Sequence, residues 1–469
     1  MNKLYNIDCR AIEDHVPNNY FHCIITSPPY YALRDYEGVE PSIWGGDQNC
    51  DHEWGDGIVK DGISGGNTAK QKTNKGSYTS STRSHFCLKC GAWEGCLGSE
   101  IIPDCGSFGK NRCGCYICNS VEWLNVMHNV LRDDGVLWVN IGDSYTSSGK
   151  GGNDDMYKKR HTMFGKTSED IGRYGTPTKV PDGLKKHERM GIPERFVMAA
   201  QQNGWYWRQT IVWHKQAPMP NSMRGTRWEK CRIRVKKSER NITENKAQST
   251  SGMPHSIRWG DGKNFKNTTV WEDCEGCDKC NSNGGYVLKK GQWRPTDAYE
   301  VVFMLVRGND YYSDGEDVKT KGSLNPNARV NMRNVITVAT QPLLDKHYAS
   351  YPTDLVAKFI LSSTSSFGCC SKCGKCYARI TEVIYLDDNS NYVDTLGWKP
   401  TCTCNAVIDK CRVYDPFGGS GRTALSAIEF NREYILTEAS PYYCTIADKN
   451  IKSHHEKYDR FKSQLTLEV

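Results

Sequence analysis

No run of eighteen apolar residues occurs in this 469-residue chain, which excludes an ordinary transmembrane helix. The opening Met1-Asn2-Lys3-Leu4-Tyr5 lacks the apolar core of a secretory signal. The expectation is a soluble, cytoplasmic protein without membrane contact. A phosphate-cradling ATPase loop is missing too, because Gly165-Lys166-Thr167 has no glycine five residues ahead of it. Also absent is the pairing of His-x-Glu with Pro-Cys-x-x-Cys that marks zinc deaminases. Strong charge of one sign is lacking, since the net charge is only +7. What is abundant is cysteine, 22 residues gathered in short clusters. In a small secreted protein these would suggest disulfides, but here metal ligation is the better expectation.

Two motifs stand where apolar strands run out. Phe21-His22-Cys23-Ile24-Ile25-Thr26 reads as a buried parallel strand and is followed by Ser27-Pro28-Pro29-Tyr30. Successive prolines stiffen the backbone and remove two N–H donors, leaving carbonyls to receive an amino group. Near the other end, Cys411-Arg412-Val413-Tyr414 leads into Asp415-Pro416-Phe417-Gly418-Gly419-Ser420-Gly421 and a helix start at Thr423. Strand, glycine turn and helix N-terminus can hold a nucleotide-like cofactor. The next strand, Glu433 to Glu438, ends on an acid about twenty residues beyond the turn, where ribose hydroxyls are bound. Alone, the turn also fits an ordinary tight turn or a nicotinamide-dependent oxidoreductase. Neither explains the proline tetrapeptide.

Together the motifs resemble the DNA amino-methyltransferases, which make N4-methylcytosine or N6-methyladenine. Their order, catalytic motif first and cofactor motif last, is similar to the circularly permuted beta group. The resemblance implies an α/β, Rossmann-like S-adenosylmethionine-dependent core of about seven strands. It also implies that Asp8, in Asn6-Ile7-Asp8-Cys9, reaches the cofactor adenine. Asp415, Phe417, Gly418, Gly419, Ser420, Gly421 and Glu438 would hold the rest, with Pro352 of His347-Tyr348-Ala349-Ser350-Tyr351-Pro352 flanking the methionine end. Gly135 to Asp143 and Ile211 to Lys215 are similar to further core strands. Two departures are Gly421-Arg422-Thr423 for the usual Gly-Thr-Thr and Ile7-Asp8 for Gly-Asp.

An exocyclic amino nitrogen is a poor nucleophile because its lone pair is delocalised into the ring. Hydrogen bonds from its N–H groups to the Ser27 hydroxyl and the Pro28 carbonyl would favour a pyramidal nitrogen, so positioning and electrostatics supply the catalysis. The base must leave the duplex, and Tyr30 can stack on it. Tyr31 and Tyr36 are the weaker candidates for that surface. Methylation at cytosine C5 needs a Pro-Cys pair, and no proline here precedes cysteine. Serine at the first motif position resembles the N4-cytosine members, with N6-adenine the alternative.

Gln216 to Arg294 carries sixteen Lys or Arg against eight Asp or Glu, with Trp228, Trp259, Trp271 and Trp293 interspersed. Such a stretch can be a merely solvated face. Placed between the motifs, it is expected to be part of a target-recognition region at 216–340 that meets double-stranded DNA. The core would then comprise 1–215, with an insertion at about 46–120 and a loop at about 146–190, and 341–469, with a ribbon at about 369–404. Four cysteine sets fit structural zinc. Two are the clearer: Cys50, His52, Cys87 and Cys90, and Cys370, Cys373, Cys402 and Cys404. Cys274, Cys277 and Cys280 with Cys231, and Cys105, Cys113, Cys115 and Cys118, raise the total to as many as four. Asn67 to Ser84 between the arms of the first set reads as a loop. The resemblance allows a companion restriction enzyme in a prokaryotic or viral setting, and either a monomer or a homodimer. A zinc-stapled DNA-binding protein without activity is the reading from another class.

Overall fold

A computed structural model describes residues 2–31, 38–54, 58–60, 82–100, 103–110, 113–146, 184–185, 187–218, 224–237, 268–321, 329–340, 351–385 and 391–465. Most of Asn67–Ser84, nearly all of the 146–190 loop, Tyr36, Trp259 and His347 to Ser350 lie outside the described residues.

The chain divides into two units, Met1–Ala217 with Ala298–Val469, and Pro218–Asp297. The first is built on an eight-stranded sheet. Its strands in chain order are β1 Lys3–Tyr5, β2 Phe21–Thr26, β3 Leu131–Ile141, β4 Tyr206–His214, β5 Tyr299–Val306, β6 Val335–Thr337, β7 Arg412–Asp415 and β8 Glu433–Thr437. Across the sheet they run β1-β8-β7-β2-β3-β5-β4-β6. β1, β8, β7, β2 and β3 are mutually parallel, β5 is antiparallel to both its neighbours, and β6 is parallel to β4. β7, from near the chain's end, thus lies directly beside β2, from near its beginning, with Cys23 opposite Val413.

Every residue of β2 is buried, as an interior strand covered on both faces requires. Its alternation divides the core. Ile24 packs on the side of helices α1 (Tyr116–Val130) and α2 (Ile192–Gln202), while Cys23 and Ile25 face α3 (Thr353–Ser363) and α4 (Arg422–Glu429). On the α3 side Trp138 stacks on Phe359 at 4.5 Å and donates from Nε1 to Ser363 at 2.8 Å. α5, Pro441–Leu465, follows β8.

Among the described residues the sheet has eight strands, against roughly seven expected, and β1 and β6 are three residues each, too short for periodicity to show. Of the 216–340 expected for target recognition, β5 and β6 belong to the main sheet, while the second unit covers Pro218–Asp297. The charge excess that marked the region stops at Arg294, before apolar β5 begins.

Candidate active site

The ends of β2 and β7 open onto one pocket. Its walls include Asp8, Ser27, Pro28, Pro29 and Tyr30 from the N-terminal side and Pro416 to Ser420 with Glu438 from the C-terminal side. Trp44, Cys96 and Leu97 of the cysteine-bearing insertion close it further. The cofactor and catalytic candidates therefore meet at the carboxyl ends of parallel strands, where open α/β sheets bind ligands.

Ser27 is oriented by a chain of donors. Its Oγ donates to the Tyr30 hydroxyl at 3.2 Å, and Tyr30 donates in turn to Glu300 Oε2 at 2.9 Å. Asn140 Nδ2 donates to both Tyr30 Oη at 2.7 Å and Glu300 Oε2 at 2.9 Å, and the Lys215 ammonium is paired with Glu300 Oε1. With the hydroxyl protons all directed toward the carboxylate, the Ser27 oxygen keeps lone pairs for an incoming N–H. Burial pushes the Glu300 carboxyl up, but the Lys215 charge and these donors outweigh it and hold it below the usual range. The Pro29 carbonyl is occupied by the Tyr116 hydroxyl at 2.8 Å. Gly142 lies against the Tyr30 ring, where an added Cβ would stand 2.7 Å from Cε2.

On the cofactor side the glycine turn presses close to its surroundings. Gly419 and Gly421 have φ of +49° and +83°, and a Cβ on Gly418 would lie 3.0 Å from that of Leu436. Ser420 Oγ is buried without a hydrogen-bond partner among the described residues and lines the pocket. Glu438 accepts the Gly419 amide at 2.9 Å on one oxygen and the Ser440 amide at 2.9 Å on the other. Burial raises its carboxyl above the usual value, against the pull of those amides. Asp8 accepts from the Arg10 backbone at 2.9 Å and pairs with its guanidinium at 2.8 Å. Burial opposes its ionisation, yet Arg10 holds the carboxyl below its usual value. That guanidinium sits 3.6 Å from the centre of the Trp44 ring and also pairs with Glu122 at 3.1 Å. A pocket with an aromatic wall, an acid after the second strand and an orphaned hydroxyl at the turn fits a nucleoside bearing a polar tail.

Three candidates stand behind the wall instead of in it. Asp415 is buried, accepting from Thr26 at 2.8 Å, the Phe417 amide at 3.1 Å, Tyr351 at 2.6 Å and Thr423 at 2.7 Å, so it fixes the turn. Gly421 caps α4, and Pro352 caps α3 while its neighbour Tyr351 lines the pocket. Sequence reasoning missed Asn140, Lys215, Glu300 and Tyr351. The available signal was a polar residue interrupting an apolar strand, Asn140 in β3 and Glu300 in β5.

The model of the DNA methylase family matches residues 21–370 and 405–449. The chain belongs to this family. Among curated relatives of this DNA methylase, the type II methyltransferase M.SmaI of Serratia marcescens is 23% identical over 448 residues, 95% of this chain and 88% of that protein. M.Cfr9I of Citrobacter freundii is 23% identical over 447 residues, 95% of this chain and 85% of the relative. Among solved structures, PvuII DNA methyltransferase, titled cytosine-N4-specific, aligns over 97% of this chain and 92% of its own at 11% identity, with a TM-score of 0.41.

Each of the four cysteine sets has its ligand atoms within 4.8 Å of one another. Sγ–Sγ separations are 3.8 Å for Cys50–Cys87, 3.6 Å for Cys105–Cys118 and 3.8 Å for Cys231–Cys277. A tetrahedral ion with bonds of about 2.3 Å to sulfur has edges of about 3.8 Å, so the residues fit structural zinc. In the second unit two antiparallel pairs, Arg227–Lys230 with Tyr286–Lys289 and Arg232–Lys237 with Thr268–Asp273, surround the Cys231 set. Trp228, Trp271 and Trp293 are 54%, 62% and 70% exposed there, with the Arg234 guanidinium 5.8 Å from the Trp271 ring centre. Exposed aromatics beside cations suit stacking on bases and contact with phosphates.

Proposed function

We propose that this DNA methylase transfers a methyl group from S-adenosylmethionine to the N4 amino group of a cytosine flipped out of double-stranded DNA. The observation that carries the proposal is Ser27, a neutral hydroxyl whose proton is committed to the Tyr30–Glu300 chain. S-adenosylmethionine would supply an electrophilic methyl on a sulfonium. Glu438 and Asp8 would bind its ribose and adenine, Ser420 and the turn amides its polar tail, and Asp415 would hold the turn in shape. Ser27 and the Pro28 carbonyl would accept the two amino hydrogens and aim the nitrogen lone pair at the methyl carbon. As the N–C bond forms and the S–C bond breaks, the surplus amino proton would pass to the Ser27 oxygen as its own proton moves toward Tyr30 and Glu300. Tyr30 would flank the flipped base.

The order of the motifs supports a circularly permuted, beta-group arrangement. Exposed tryptophans and basic residues support Pro218–Asp297 as the DNA-reading part of the chain. Closed four-ligand sets support structural rather than catalytic zinc. The type II names of the relatives support a companion restriction enzyme in the same cytoplasm.

The test is mass spectrometry of nucleosides from sequence-diverse DNA incubated with the protein and S-adenosylmethionine, beside a Ser27→Ala control. N4-methylcytosine is expected, with turnover reduced roughly 10²–10³-fold in the control. N6-methyladenine would replace the base assignment. No methylated nucleoside despite bound cofactor would favour a non-catalytic DNA-binding protein.

A further inference from the structure

Three cysteines outside the four sets are buried together. Cys369 and Cys411 are 0% exposed and Cys376 2%, and they form a small cluster of their own with Tyr312 packed against it. Cys376 Sγ lies 3.6 Å from Cys411 Sγ, a separation shared with the thiols of the other sets. His22, 2% exposed, brings a ring nitrogen within 4.8 Å of both. Cys369 belongs to the same buried cluster and is bridged to Cys376 along the backbone, its thiol donating to the Lys410 carbonyl at 3.5 Å. Cys369 and Cys370 are successive residues of one short strand, so their side chains point to opposite faces. Cys370 joins the outer ribbon set while Cys369 turns inward.

We infer that Cys369, Cys376, Cys411 and His22 form a fifth structural metal site, of Cys3His type and suited to zinc. Single buried thiols are common core residues, and Cys23 on the same strand as His22 is one. Two thiols and an imidazole nitrogen within 4.8 Å of one another, with a third thiol in the same buried cluster, are not accounted for by apolar packing. The histidine is already set in a ligand's tautomer. Nε2–H donates to the Gly374 carbonyl at 2.7 Å, leaving the Nδ1 lone pair, which accepts the Arg412 amide at 3.0 Å. Metal-bound histidines regularly give their second N–H to a backbone carbonyl in this way. An ion bound at Nδ1 would require the Arg412 amide to give up that acceptor.

The charge balance around the cluster is compatible with such a site. Three thiolates and a divalent ion leave one net negative charge in a buried place. Arg432 is buried near Cys411 and Cys376, and its guanidinium donates to neutral oxygens: Thr364 Oγ1 at 2.9 Å, the Thr364 carbonyl at 3.2 Å, Ser366 Oγ and the Phe430 carbonyl. A buried cation is costly unless countered, and a thiolate centre would add to the counter-charge that Asp317 supplies beyond Ser366. The site would fasten three pieces that come from distant parts of the sequence. His22 lies near the start of β2, which runs out just before Ser27, Cys411 precedes the strand that ends at Asp415, and Cys369 with Cys376 belong to the ribbon. With four protein ligands it is closed and structural.

Metal content of the full chain measures this without reference to methyl transfer, so the outcome is separable from the proposed activity. Cys376→Ser should hold one zinc ion fewer per chain than the unaltered protein, as should Cys402→Ser through the ribbon set, and the double variant two fewer. Equal content in the unaltered protein and Cys376→Ser would overturn the fifth site. If Cys376→Ser does not fold, anomalous diffraction at the zinc edge from crystals of the unaltered chain decides. A peak between the four side chains supports the site, and its absence there overturns it.

Discussion

A partly buried carboxylate and a buried one stand on either side of the pocket, and they are kept in opposite ways. Glu300, on the target side, faces the Lys215 ammonium and is held below its ordinary range. Asp415, on the cofactor side, is surrounded by three hydroxyls and one amide, and burial raises it above its ordinary range despite them. An ion pair fixes charge at the place where the proposed transfer would deliver a proton. A neutral hydroxyl cage fixes shape, because each oxygen of Asp415 is already taken by donors from β2, the segment before α3, and α4. The difference separates a group poised to take part in proton movement from one that positions the turn.

Removing one member of the ion pair should have the largest effect. Glu300→Ala leaves Lys215 facing the site without its partner and should cost about 3 kcal/mol in urea unfolding. The comparison sharpens with Lys215→Met/Glu300→Leu, which should recover most of that stability while methylation stays lost. Unimpaired methylation in the double variant would remove Glu300 from the proton path. Asp415→Asn should cost roughly 1–3 kcal/mol by turning an acceptor into a donor among hydroxyls, and cofactor affinity should fall with it. No single compensating substitution exists there, because either orientation of the amide turns a donor toward two groups that donated to the replaced oxygen.

Acid should act on the two groups with opposite sign. Glu300 is depressed from 4.5, so its contribution to stability is complete above that value and is lost as pH falls through the lower folded-state pKa. Asp415 is raised from 3.8, so the folded state takes up its proton first, and stability from this group rises as pH falls through the raised value toward 3.8. Stability measured from pH 6 to pH 3 should therefore fall less steeply in Glu300→Gln than in the unaltered chain, and more steeply in Asp415→Asn. Parallel curves for all three would contradict the distinction.

The cofactor side was largely legible in the sequence, and the target side only in part. Asp415 to Gly421 and Glu438 announce themselves because a tight turn and the acid after the next strand occur within one continuous stretch. Ser27 to Tyr30 are equally local. Glu300, Asn140 and Lys215 meet only because β5 lies antiparallel between β3 and β4, with Asn140 beside Val302 and Trp213 beside Glu300. No spacing rule links such residues before the sheet order is known. Cysteine pairs were visible as local Cys-x-x-Cys or Cys-x-Cys spacings. Cys369, Cys376, Cys411 and His22 share none and were not grouped. Asp415 was assigned to the cofactor by motif alone, whereas its burial behind the wall depends on Tyr351 and Thr26, which tertiary packing brings to it.

The smallest expected effect concerns Tyr30, the link between Ser27 and Glu300. Gly142 follows β3, and the Tyr30 ring rests where its Cβ would be, 2.7 Å from Cε2 and 3.0 Å from Cδ2. Gly142→Ala does not require an unusual backbone angle and touches no charged group, so the protein should fold. The ring must shift by a few tenths of an ångström, lengthening the hydrogen bonds from Ser27 at 3.2 Å and to Glu300 at 2.9 Å. Overpacking of this kind costs about 1–2 kcal/mol, and if most of it falls on the aligned state, kcat should drop about tenfold. Cofactor affinity, governed by the other side of the pocket, should be unchanged. A fall in cofactor affinity with kcat intact would show that Tyr30 serves the cofactor side and would dissolve the division between the two carboxylates.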